Sequence, residues 1–160
     1  MRLSPLLTFV EAYDPKNFRG TPDKEDILRY LGRLYASYIH RADGDRIAEA
    51  LIEREKLVTT SVGKGIAFPN ANVAEIEGIY IGVYALPENF DWQRMDRKPV
   101  WVAIPVIASK DYYGTRLNVT ARLSYLLKNE KNREQLKEAI NPSSGQVDRR
   151  TIESILDHVP

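Results

Sequence analysis

The chain reads as an α/β layered domain, a small mixed β-sheet flanked by helices. Three observations predict it. Apolar residues recur at three- and four-residue spacing in two successive stretches, 22–38 and 43–54, as on the buried faces of amphipathic helices. Two later stretches, 79–86 and 100–108, are apolar on nearly every residue, the pattern of strands covered on both faces. Helical spacing then returns from residue 115 to the end of the chain.

Each element has its own signal. Thr21 and Pro22 read as a helix start, a cap followed by proline at the first helical position. Ile27, Leu28, Leu31, Leu34, Tyr35 and Tyr38 then form the inward face. Asp43 or Asp45 opens a second helix, with Ile47, Ala48, Leu51 and Ile52 buried and its end near Arg54. Residues 57–62 and 65–68 read as short strands joined by a turn at Gly63-Lys64. In the run 100–108, Pro105 supplies no ladder donor, so an edge position or a bulge is expected there. Residues 87–92, with Phe90 and Trp92, read as a polar surface excursion whose two aromatics suit a docking patch. Tyr80, Tyr84, Trp101, Tyr112 and Tyr113 are expected as core and rim aromatics. Leu117, Ala121, Leu123, Leu126 and Leu127 give the stripe of a third helix capped by Thr115. Residues 132–140 form a fourth, stopped at Asn141-Pro142. Ser143-Ser144-Gly145 is a flexible joint, and Asp148 caps a last helix that turns Ile152, Ile155 and Leu156 inward.

Composition removes several function classes. The 160 residues are 43% hydrophobic, enough for one domain with a substantial core. Lys+Arg 23 against Asp+Glu 22 leaves a charge of +1, which calls for neither nucleic acid nor an anionic membrane surface. There is no cysteine, hence no disulfide, thiolate nucleophile or cysteine metal site. Two dispersed histidines, His40 and His158, give no metal-ligand spacing, and no cofactor motif occurs. The apolar run near the N-terminus is broken by Pro5 and stopped by Glu11, too short for a signal peptide. No stretch approaches the about 20 apolar residues that span a bilayer, so a cytoplasmic protein is expected. The Asn118-Val119-Thr120 glycosylation pattern is then accidental.

The densest information lies in Arg54-Glu55-Lys56-Leu57, followed by Thr59-Thr60 and Gly63-Lys64-Gly65-Ile66-Ala67-Phe68-Pro69-Asn70-Ala71. A lone Gly-x-Gly is only a tight turn. The whole series resembles the active-site segment of enzyme IIA domains of the bacterial sugar phosphotransferase system, of the fructose/mannitol and nitrogen-regulatory type. Those domains carry Arg-Glu-Lys-Leu, a Thr-Gly-rich turn and Gly-Ile-Ala-Ile-Pro-His-Ala, in which the histidine accepts the phosphoryl group. The resemblance runs from about residue 6 to 140 and implies the mannitol/fructose enzyme IIA fold. It divides the chain into an enzyme IIA-like domain, 1–142, and a linker and C-terminal helix, 143–160, packed on the same domain.

In this sequence the acceptor position holds Asn70. A second family histidine, after an apolar strand, is matched by Arg116. An amide nitrogen with its lone pair delocalised into the carbonyl is a hydrogen-bond donor and no nucleophile. No residue is therefore assigned a catalytic role. The candidate binding residues are Arg54, Lys64, Asn70 and Arg116. Arg54 matches an arginine that helps hold the phosphoryl group in the family, or is an ordinary helix C-terminal cation. Arg116 is a solvated surface cation, or joins Arg54 and Lys64 in a basic ring around a small anion, with Asn70 as a neutral donor.

Three functions follow from the resemblance. The first is a regulatory protein held in the unphosphorylated form, leaning away from an enzyme, that acts by contact with phosphotransferase-system components or a regulated kinase or transporter. The second is an active phosphocarrier in sugar uptake that uses another residue, of which His40 is the one available. The third is an anion- or metabolite-sensing module built on the basic ring.

Overall fold

The computed structural model describes residues 2–93, 95–141 and 146–158. The expected joint at 143–145 lies outside them. Among the described residues seven strands form the main sheet and two form a separate small ladder. Strand β1 (Leu7–Ala12) runs parallel to β5 (Ile79–Ala85), which anchors the sheet. On the other side β5 is antiparallel to both β6 (Val102–Ala103) and β7 (Val106–Ala108). These two are collinear halves of one line of chain. Beyond them lie β3 (Ile66–Ala67), parallel to β6, and β4 (Asn70–Asn72), parallel to β7. Strand β2 (Ser61–Gly63) closes the outer edge antiparallel to β3.

The chemistry of proline explains the split. Pro105 separates β6 from β7, and Pro69 separates β3 from β4, so two residues without an N–H interrupt neighbouring lines. Carbonyls carry the connection across the break: Ile104 donates to Ala67 O at 2.9 Å, Val106 to Pro69 O at 2.8 Å and Gly82 to Pro105 O at 2.9 Å. Pro105 is thus an interior interruption with strands on both sides: of the two expectations, the edge position fails and a local irregularity in the ladder is what occurs.

Helices cover both faces. On one side pack α1 (Lys24–Tyr38) and α2 (Gly44–Leu57), whose buried residues join Phe9, Tyr84, Ala103 and Ile107. On the other pack α3 (Tyr113–Leu126), α4 (Glu130–Ala139) and α5 (Arg149–Leu156), joining Ile81, Val83, Val102, Ile104 and Val106. Alternate residues of β5 thus feed opposite cores, as its unbroken apolar run requires. Ile152, Ile155 and Leu156 are buried as expected, and Asp148 caps α5.

Several expectations need correction. Helix α1 is capped by Asp23, not Thr21: Asp23 accepts from Asp26 N while Asp26 accepts from Asp23 N, a reciprocal capping box. Asp43 is the cap of α2, which continues past Arg54 to Leu57 and shortens the expected strand at 57–62. The first strand, β1, went unread because its apolar run is short. Helix α3 begins at Tyr113 with no side-chain cap, so Thr115 lies inside it. Its buried line is Arg116, Val119, Leu123 and Leu126, while Leu117 is exposed. Helix α4 starts at Glu130, capped by Asn129. After it, β8 (Ile140–Asn141) pairs with β9 (Gln146–Val147), a ladder the sequence reading did not foresee. Phe90 and Trp92 are core residues, Trp92 fully buried, so the excursion at 87–92 is no aromatic docking patch. No helix among the described residues is long and apolar enough to cross a membrane.

Candidate functional site

The motif segment starts in the last turn of α2. Arg54 is half-buried there and donates from Nη1 to Val58 O at 2.9 Å, satisfying a carbonyl past the helix end. Its neighbour Glu55 lies on the buried line of α2, one step beyond Leu51 and Ile52. The Glu55 carboxylate accepts from Thr60 N and Oγ1, Thr59 Oγ1 and Trp92 Nε1, and pairs with Lys24 Nζ at 3.3 Å. A buried carboxylate is tolerated only when so many donors replace its water. Its effect is to pin residues 59 and 60 to the end of α2 and thereby aim the next strand.

That strand ends in a turn in which Gly63, Lys64 and Gly65 all have positive φ, at 92°, 58° and 75°. Glycine adopts this region freely and lysine does not, so the two glycines carry the bend. Trp101 closes over it, donating from Nε1 to Lys64 O at 3.2 Å and from its backbone N to Gly65 O at 2.7 Å. The Lys64 side chain is exposed at the tip.

Past the break at Pro69, β4 sets Asn70 and Asn72 on one face, two residues apart. Asn70 is 8% exposed; its Nδ2 donates to Phe68 O at 2.8 Å and its Oδ1 accepts from Arg116 Nη1. Asn72 accepts from Arg116 Nε at 2.8 Å and donates to Ser109 O at 2.8 Å. Arg116 comes from the first turns of α3, is 5% exposed, and lies with its guanidinium carbon 5.2 Å from the Tyr113 ring centre. Burial lowers its pKa; Tyr113 opposes that shift and the nearby Arg54 cation adds to it.

Arg116 is therefore no solvated surface cation. Structure brings Arg116 onto Asn70 and beside Arg54, but no contact joins Lys64 to any of the three among the described residues. Two charge-assisted hydrogen bonds, about 1.5–3 kcal/mol each, go to neutral oxygens, and no carboxylate pairs with the guanidinium among the described residues. The surroundings are apolar on the outside. Leu57, Val58 and Val62, which follow Arg54 in the chain, and Tyr112, Tyr113 and Leu117, which bracket Arg116, are exposed. A groove of about 300 Å³ adjoins Asn72, between α2 and β4, and mixes Glu49, Glu53 and Glu75 with Arg46 and Lys110.

Neither histidine reaches this cleft. His40 is exposed just past the end of α1, at the start of the link to α2, whereas Arg54 lies ten residues along α2, about 15 Å by helical rise. His158 lines a shallow pocket with Tyr125 and Asn129, at the opposite end of α3 from Arg116. No cluster of metal-ligating residues occurs among the described residues. Asn72 and Glu55 were not singled out from sequence. Asn72 is legible as the same-face neighbour of Asn70, and Glu55 as the polar residue on an apolar helical line.

A mixed sheet with helices on both faces is a fold shared with solved enzyme IIA proteins. The nitrogen regulatory protein IIA-Ntr from Neisseria meningitidis superposes with TM-score 0.78 at 20% identity, over 96% of this chain and 98% of that one. The enzyme IIA mannitol of Escherichia coli, solved in complex with phosphorylated enzyme IIB mannitol, gives 0.61 at 21%, over 86% and 90%. In sequence, the fructose-specific EIIABC component of Bacillus subtilis is 32% identical over 139 residues, 87% of this chain but 21% of that protein. This chain thus spans about a fifth of that relative's length. The family model described as "Phosphoenolpyruvate-dependent sugar phosphotransferase system, EIIA 2" matches residues 19–144, and the chain belongs to that family.

Proposed function

We propose that this protein is an enzyme IIA-like regulatory or partner-binding member of the phosphotransferase system that does not take up a phosphoryl group. One observation carries the reading: the two positions at which the family resemblance places histidines hold Asn70 and Arg116, hydrogen-bonded to each other. Phosphoryl acceptance needs a nitrogen lone pair that can attack and later leave. The Asn70 amide has none, and its nitrogen is already donating to Phe68 O. Arg116 stays protonated across the physiological range despite the downward pull of burial, so it offers no base.

What the cleft retains is a surface. The exposed apolar side chains next to Arg54 and Arg116 in sequence, with those two arginines near each other, have the composition of an interface: aromatic and arginine residues with an apolar surround. The Escherichia coli mannitol relative assembles with its phosphorylated enzyme IIB, and partners of that kind, or a regulated kinase or transporter, are what this face would meet. A switch needs two states with different affinities. With one state chemically inaccessible, contact becomes constitutive.

The test is binding. Purified phosphocarrier protein and enzyme IIB domains from the same cell, with candidate kinases, are titrated against the native chain and against Leu117→Asp. Binding to at least one, weakened about tenfold or more by the charged substitution, supports the reading. Binding that Leu117→Asp leaves unchanged means the contact face lies elsewhere.

A further inference from the structure

We infer that the Arg116 guanidinium is a seat for a carboxylate side chain carried on the apolar face of a partner protein. This deepens the proposed function and rests on it, since it says what the contact surface reads.

The central observation is a missing counter-ion. Arg116 is 95% buried, and its contacts among the described residues are the neutral oxygens of Asn70 and Asn72 and the ring of Tyr113. Buried cations are ordinarily paired with an anion. The ion pairs of the described acidic residues all go to other cations. Glu55, the nearest acid in the motif, is consumed by Lys24, Trp92 and the threonines.

The donor geometry narrows the ligand. Nε and Nη1 donate to Asn72 and Asn70, and Nη2 makes no hydrogen bond among the described residues, which leaves guanidinium donors for a ligand. Two parallel donors on one edge match the two oxygens of a planar carboxylate. The rim argues for the same ligand. Tyr113, whose ring lies 5.2 Å from the guanidinium carbon, and Leu117, the next residue of α3 after Arg116, are exposed, so a partner covering them excludes water and strengthens the ion pair. Desolvation in such a setting costs less for a monoanion than for a phosphoryl dianion. Arg54, whose own bond goes to Val58 O, adds a second positive charge beside the seat.

The experiment uses the full chain labelled with nitrogen-15 and three probes. They are a capped peptide of leucines and phenylalanine around a central glutamate, the same peptide with glutamine, and inorganic phosphate. The glutamate peptide is expected to shift the Arg116 Nε–H and the amides of Tyr113 and Leu117, and to bind about tenfold more tightly than the glutamine peptide. Arg116→Lys, which keeps the charge but loses the fork, abolishes that preference. Should Arg116→Lys fail to fold, Arg54→Gln, which leaves the Asn70–Arg116 bond in place, serves instead and reduces it about threefold. Equal binding of the two peptides, absence of shifts, or tighter binding of phosphate at the same resonances each overturns the carboxylate seat. Those outcomes leave the non-phosphorylatable reading standing, whereas a phosphoryl adduct on the chain would overturn that reading without altering a measured preference for the glutamate peptide.

Discussion

Arg116 donates a hydrogen bond to the side-chain oxygen of Asn70, a residue 46 positions earlier in the chain. The same guanidinium reaches Asn72, so one side chain staples the start of α3 to β4, just past the strand break at Pro69. The two residues at the positions where the family resemblance places histidines are also the ones that hold the cleft together.

Removing the staple has a measurable cost. Arg116→Ala leaves one buried carboxamide oxygen, of Asn70, and one half-buried, of Asn72, without a donor and removes the side chain packed beside Tyr113, a loss of about 2–4 kcal/mol in a urea titration. Relief of the buried charge returns part of it. An unchanged midpoint would mean that Arg116 is solvated and the site is not built as described.

Glu55 is the organiser of the segment between Arg54 and Gly63. In Glu55→Gln the amide cannot accept from Thr60, Thr59 and Trp92 together, and the pair with Lys24 is lost. A destabilisation of about 2–4 kcal/mol is expected, with a shift in Trp92 fluorescence as its indole N–H loses the carboxylate.

The turn at Gly65 is constrained twice. Its φ is +75°, and an added Cβ would lie 2.3 Å from Trp101 Cδ1. Gly20 has φ +81° but nothing within 4 Å of an added Cβ. Gly20→Ala is therefore expected to cost about 1 kcal/mol from backbone strain alone, and Gly65→Ala about 1–3 kcal/mol more from displaced Trp101. Equal losses in thermal melts would contradict the packing of Trp101 over the turn.

Acid should release the C-terminal helix from the start of the chain. Burial works to raise the Asp157 pKa, but hydrogen bonds from Ser4 Oγ and N and from Arg2 outweigh it and hold it at about 2, below its ordinary 3.8. A depressed carboxyl stabilises the fold above its unfolded pKa, and that contribution disappears as pH falls through the folded value. Asp157→Asn is thus expected to lower Tm at pH 7, with the difference from the native chain shrinking between about pH 4 and pH 2. A difference constant over that window would show that the carboxylate charge is not what matters.

The layers and most helices were legible because apolar periodicity reports burial directly. The runs at 79–86 and 100–108 are apolar on both faces, and the structure gives them a core on each side. The same logic misled where burial and polarity part company. Leu117 is apolar and exposed, while Arg116 is charged and buried, because the cleft places a cation on the inward line of α3. Trp92 sat in a polar stretch and read as surface, yet Glu55 accepts its N–H from inside the fold. The motif picked out the candidate residues; it did not tell that Arg116 and Asn70 touch, since pairing across 46 residues has no local signal.

The central claim concerns group transfer, and intact-mass spectrometry measures it. The native chain is incubated with phosphoenolpyruvate, enzyme I and the phosphocarrier protein, beside an active enzyme IIA as control. A phosphoryl adduct is expected on the control and none on this chain. A stoichiometric, acid-labile adduct, lost in His40→Ala, would contradict it and make the protein a phosphocarrier after all.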